Sequence, residues 1–143
     1  MKWIIAKFKW IMLITGVLTA SMFYYAIAPN AALHSAFGQG LEGSALAELI
    51  VRNWGVLVGL VGLMLVYGAF VPPARRLVLS IAALSKAAFV TLLLTVGRDY
   101  IGQRIGIALW VDSFEAVLFT AYLLTTQHAP RPQPMAAGAA PIR

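Results

Sequence analysis

A chain of 143 residues that is 61% hydrophobic and 11% charged, with a mean hydropathy of +0.83, carries more apolar surface than a soluble domain of this size can bury. Its formal net charge of +6 arises from 11 Lys and Arg against 5 Asp and Glu. The basic residues flank apolar stretches, which points to membrane topology and anionic headgroups and away from nucleic acid, and the absence of cysteine excludes disulfides, thiolate nucleophiles and thiolate metal sites.

The first predicted span is WIMLITGVLTASMFYYAIA, Trp10 to Ala28. Lys2, Lys7 and Lys9 precede it, as in a signal peptide, and Ala26-Ile27-Ala28 has the small-residue spacing of a cleavage site. Pro29 follows directly and is expected to obstruct cleavage, and the stretch approaches the roughly 20 residues needed to cross a bilayer, so a retained helix is expected. Beyond it, a short amphipathic piece around Ala31 to Phe37 suits the membrane interface. The glycines of FGQGLEGS then predict a flexible turn, and SALAELIVRNW is able to start the next helix early.

The second span runs roughly from Leu49 to Phe70 and stops at Pro72-Pro73. The third, Leu77 to Val96, begins straight after Arg75-Arg76; the fourth runs from Ile105 to about Thr126. The tail HAPRPQPMAAGAAPIR has no apolar period and a composition expected to be disordered. The expected fold is therefore all-α: a four-helix transmembrane bundle over residues 1–127, followed by a cytoplasmic tail over 128–143.

Orientation follows from the basic residues, because cytoplasmic loops carry the Lys and Arg excess. With both termini cytoplasmic, the inner segments hold Lys2, Lys7, Lys9, Arg75, Arg76, Arg131 and Arg143 and no acid. All five acids, Glu42, Glu48, Asp99, Asp112 and Glu115, fall in outer segments or spans. Small size and this asymmetry favour a bacterial inner membrane.

Ionisable side chains within spans are costly and usually face a bundle interior, where they find partners. At 1.5 Å per residue, Lys86 lies roughly 13 Å from the inner start of the third helix and Glu115 roughly 16 Å from the inner end of the fourth, both near midplane. Asp112 and Glu115 are three apart and share a helix face. A Lys86–Glu115 pair is expected, with Arg52 approaching Asp112 from the outer end of the second helix. The cluster is expected to open outward, with Asn53, Arg98, Asp99, Tyr100, Gln103 and Arg104 around its mouth.

For Arg98, Asp99 and Arg104 the ordinary role of solvated interfacial residues weighs about two to one against a ligand role. For Lys86, Asp112 and Glu115 two roles weigh equally: an internal ion pair that fixes helix register, or a site that binds a cationic or hydrogen-bonding group or exchanges protons. Gly55, Gly59 and Gly62 line one side of the second helix and predict close helix packing rather than a ligand site. The aromatics Trp3, Trp10, Tyr24, Tyr25, Trp54, Tyr67, Tyr100, Trp110 and Tyr122 sit mostly near span ends, as interfacial belts do.

No metal is expected. His34 and His128 fall in an outer loop and the inner tail, and two carboxylates beside a lysine make a poor cation site. G-x-S-x-G, H-E-x-x-H and phosphate-loop motifs are absent, so no nucleophile and no cofactor are assigned.

The glycine-rich helix VRNWGVLVGLVGLMLVYGA (Val51 to Ala69), entered through an arginine, and ARRLVLSIAALSKAAFVTLLL (Ala74 to Leu94) resemble the small four-helix membrane proteins of the DoxX-like families. The resemblance is one of architecture over about two thirds of the chain. It implies a four-helix fold and, for part of that group, association with quinone-linked redox complexes; no catalytic residue carries over. The function expected first is a non-enzymatic membrane protein that binds a lipophilic small molecule in an outward-facing polar pocket, or an accessory subunit of a larger membrane complex. The alternatives are a small oligomeric proton-coupled transporter, a quinone-linked redox subunit, and a membrane enzyme using the carboxylates as acid and base. Expected partners are membrane lipid, the lipophilic ligand, and further copies of the chain or a larger complex.

Overall fold

The computed structural model describes the backbone of residues 2–127 and the side chains of residues 7–126. The tail expected to be disordered lies outside the described residues, among which every regular element is helical. Four stretches are long and apolar enough to cross a membrane: Lys7–Ile27, Ala45–Phe70, Pro72–Thr95 and Ile105–Thr126.

The first stretch is two helices, α1 (Lys2–Ala20) and α2 (Phe23–Ile27). At the interruption, the Ser21 hydroxyl donates to the Leu18 carbonyl at 2.6 Å. The amides of Met22, Tyr24 and Tyr25 each donate to the carbonyl three residues back, at 2.9 to 3.1 Å, so the chain tightens there into a narrower turn. Helix α3 (Pro29–Phe37) starts with Pro29, whose missing N–H costs nothing in a first turn. It ends at Gly38, at φ 72°, whose amide donates to the His34 carbonyl.

Glu42 and Gly43 then adopt left-handed backbone, at φ 47° and 78°, and turn the chain into α4 (Ala45–Phe70). That helix begins four residues before Leu49, in the early register that SALAELI allows. Ser44 accepts a hydrogen bond from the Ala47 amide at 3.2 Å and so satisfies one of the orphan donors of the first turn.

Helix α4 stops at Phe70, two residues before Pro72. A single 3₁₀ turn, Pro72–Ala74, leads into α5 (Arg75–Thr95). The buried Arg75 guanidinium donates back to the carbonyls of Gly68 and Ala69, at 3.3 and 3.2 Å, and closes the end of α4 that the prolines leave without amide partners. A 3₁₀ turn at Arg98–Tyr100 precedes α6 (Ile105–Gln127).

The most extensive packing joins α1 with α4 and α5 with α6, while α4 against α5 links the two pairs. Near the α4–α5 connection, Met12, Leu65, Leu79 and Phe119 are fully enclosed, and Phe8 of α1 stacks on Tyr122 of α6 with ring centres 3.9 Å apart. At the opposite end, α2 and α3 supply Tyr25, Ala32 and Ala36 to a second core with Leu93, Ile105 and Leu109. Large apolar side chains such as Ile14, Leu84, Trp110 and Val117 remain well exposed, as the outer faces of spanning helices require.

Candidate functional site

Helix α5 carries Lys86 into the interior, and α6 presents Asp112 and Glu115 to it from one face, three residues apart. Lys86 Nζ lies 2.5 Å from Asp112 Oδ1 and 2.6 Å from Glu115 Oε2. The side chains of Lys86, Asp112 and Glu115 are 8%, 22% and 6% exposed, so water screens these charges little.

The two contacts differ in kind. Lys86 donates a hydrogen bond to Asp112, whereas Glu115 Oε2 is enclosed, sits at ion-pair distance and accepts no hydrogen bond. The contact between Lys86 and Glu115 is therefore an ion pair. One ammonium faces two carboxylates, and the triad carries one negative charge in excess when all three groups are ionised.

Beside the triad lies a cavity of about 630 Å³ between the α1–α4 and α5–α6 pairs. Lys86, Asp112 and Ser85 form its polar wall; Trp54, Val58 and Val61 of α4 and Phe89 and Ala108 are among its apolar surfaces. The interruption between α1 and α2 borders it through Leu18, Thr19, Ser21 and Met22. Irregular backbone at membrane depth persists where it lines a cavity or is covered by protein. Leu18, Leu57, Leu92 and Ile107 line the cavity while remaining more than half exposed, so the space opens sideways, between helices, and not only along the bundle axis.

The structure separates Arg52 from this cluster. Instead of approaching Asp112, its guanidinium pairs with Glu48 at 2.7 Å, one turn away on α4, and donates to the carbonyl of Ala26 at the end of α2. Proximity on the same helix face outweighs a partner on another helix.

Of the residues expected around the mouth, Arg104 lines the cavity. Tyr100 donates to Gln39 at 3.3 Å, Gln103 packs against Gly38, and Arg98 donates to the Leu94 carbonyl at 2.5 Å. The Tyr100 and Gln103 contacts tie the α5–α6 connection to the α3–α4 connection, while that of Arg98 stays at the end of α5. Asn53 and Asp99 are exposed and do not line the cavity.

The glycines of α4 face α1 and α2. A methyl group at Gly55 would stand 2.8 Å from the Ala26 nitrogen, one at Gly59 2.8 Å from the Phe23 ring, and one at Gly62 2.7 Å from the Gly16 carbonyl oxygen. Among the described residues no group of three or more His, Cys, Asp or Glu could hold a metal ion.

Sequence spacing did not single out Trp54, Ser85 or Phe89 as wall residues, because a cavity depends on how helix pairs diverge. Glu48 as the partner of Arg52 was readable from its i,i+4 spacing. No protein-family model, curated protein or solved structure matches this chain.

Proposed function

We propose that this is a non-enzymatic integral membrane protein that binds a lipophilic small molecule between its two helix pairs. The observation that carries this reading is the cavity of about 630 Å³ with Lys86 and Asp112 on a largely apolar wall. Its size falls in the few-hundred to roughly 1,000 Å³ range of small-molecule sites, and a few convergent polar groups on an apolar lining are what orient a bound ligand. The sideways opening past Leu18, Leu57, Leu92 and Ile107 suits a ligand that partitions into hydrocarbon first. The asymmetry of basic residues supports both termini on the cytoplasmic side of a bacterial inner membrane.

The test is extraction. Protein purified in mild detergent, washed, and extracted with organic solvent should release a lipophilic compound in stoichiometric amount, detected by mass spectrometry. Val58→Trp and Ala108→Trp fill the cavity from opposite helix pairs and should each remove that compound while the protein stays monodisperse. Extracts containing only bulk lipid, identical in wild type and both variants, would sink the reading.

A further inference from the structure

We propose that the occupant of this cavity is a lipophilic organic cation, held by the excess negative charge of the Lys86–Asp112–Glu115 triad. The inference rests on the cavity reading above and names the ligand class.

Charge arithmetic comes first. The ammonium of Lys86 lies 2.5 Å from one carboxylate and 2.6 Å from the other, so with all three groups ionised one positive charge serves two negative ones on side chains 6% to 22% exposed. A buried charge without an equal partner is strongly unfavourable, and here the deficit is positive. Glu115, 6% exposed, shares that one ammonium with Asp112 at 2.6 Å and accepts no hydrogen bond at Oε2. When a cation takes up the field of Asp112, the Lys86 ammonium is left to Glu115, 2.6 Å away. The two cations and two carboxylates then balance.

The neighbours favour the same sign of charge. Asp112 lines the cavity and is the more exposed carboxylate, so it is the group a ligand reaches. Trp54 and Phe89 line the same space, and aromatic faces attract organic cations. The walls from α1, the interruption after it and α4 contribute the hydroxyls of Thr19 and Ser21 and no titratable side chain. The other cation on the lining is Arg104, an exposed residue preceding α6 by one position. It lies eight residues before Asp112, roughly 12 Å along a helix, and its charge is solvated.

The test uses tetraphenylphosphonium and tetraphenylborate, ions of near-equal size and opposite charge, with triphenylphosphine oxide as an uncharged probe. Binding to the full chain in lipid vesicles is measured by equilibrium dialysis against protein-free vesicles, which removes each ion's own partition. Protein-dependent binding of tetraphenylphosphonium should exceed that of tetraphenylborate by roughly ten-fold or more. Asp112→Asn and Glu115→Gln, each nearly isosteric, should lower tetraphenylphosphonium binding about ten-fold and leave triphenylphosphine oxide binding unchanged, which also reports that the variants fold.

Equal binding of both ions, or binding of the uncharged probe alone, with sensitivity to Val58→Trp, overturns the cation assignment and leaves the cavity reading standing. Binding of none of the three probes overturns both. Unchanged tetraphenylphosphonium binding in both carboxylate variants also overturns the assignment, because the charge would then lie elsewhere.

Discussion

The two helix pairs are held together by opposite means. Where α4 meets α1 and α2, Gly55, Gly59 and Gly62 let backbone lie against backbone, and no ion pair joins α4 to α1 among the contacts described. Where α5 meets α6, a lysine is buried between two carboxylates and a cavity opens beside it. Lipid tails are as apolar as Leu, so helices in a bilayer gain from close packing and polar contacts more than from hydrophobic burial. The first side relies mainly on packing, with Lys9 over the Phe70 ring and Arg52 on the last carbonyls of α2 as its polar contacts. The second gives up packing density beside a charged group that needs a partner. Such an exchange is hard to account for by stability, since well-packed apolar residues often do as well as a buried ion pair.

The largest expected effect comes from breaking the charged side. Lys86→Met removes the cation and leaves two carboxylates, 22% and 6% exposed, without their shared partner. Truncating one partner of a buried pair typically costs about 3–5 kcal/mol, and the loss should show as a large fall in the unfolding midpoint in mixed micelles. Adding Glu115→Gln and Asp112→Asn to Lys86→Met should restore part of it, because the uncompensated charges go. A Lys86→Met variant as stable as wild type would mean that the triad is not buried as described.

The glycine side should fail by a smaller margin. Gly62→Val forces side-chain atoms into the backbone of Ala20 and the carbonyl of Gly16, so α1 must shift away from α4. Overpacking of this kind costs about 1–3 kcal/mol. Gly102→Ala is the matched control: nothing lies within 4 Å of a methyl group there and no positive φ is required, so its midpoint should stay within about 0.5 kcal/mol of wild type. Equal effects at Gly62 and Gly102 would remove the case for a backbone-tight interface.

How far sequence reaches differs between the same two regions. The spans were legible because hydropathy and length are local properties; bounds differed by a few residues at Ala45, where a serine cap outweighs the start of the strongly apolar run. Counting rise from the start of the third span and the end of the fourth put Lys86 and Glu115 at one level, and they lie 2.6 Å apart. The same reckoning misplaced Arg52, since it compared depth across helices and overlooked Glu48 one turn away. The interruption at Ser21 and Met22 had no proline or glycine to announce it. It sits where the first span passes the glycines of another helix, and that is a tertiary cause. The cavity was illegible for a related reason: its walls come from four helices, α1, α4, α5 and α6, and from the interruption after α1.

Arg52→Gln sharpens the comparison at the end of the first pair. Its guanidinium is 43% exposed, yet it joins α4 to the last carbonyls of α2, so it is a polar tie in an otherwise apolar contact. A charged hydrogen bond contributes about 1.5–3 kcal/mol when buried. Exposure discounts that here to about 1 kcal/mol. Faster amide exchange confined to residues 23–27, with the rest of the bundle unchanged, is the expected signature, and uniform exchange would argue against a local tie.

The smallest effect belongs to Glu48→Gln, and it separates the two contacts that Arg52 makes. Glu48 and Arg52 are an i,i+4 pair on one helix, 45% and 43% exposed, and such pairs contribute about 0.3–0.5 kcal/mol. Because the glutamate only holds the guanidinium in place, the Ala26 carbonyl keeps its donor when the charge is removed. The variant should therefore lower the midpoint by a few tenths of a kcal/mol, about, and leave amide exchange in α2 near wild type. If Glu48→Gln instead reproduces the full loss of Arg52→Gln, the tie to α2 has no strength of its own, and α1 and α2 are held by the glycine contacts alone.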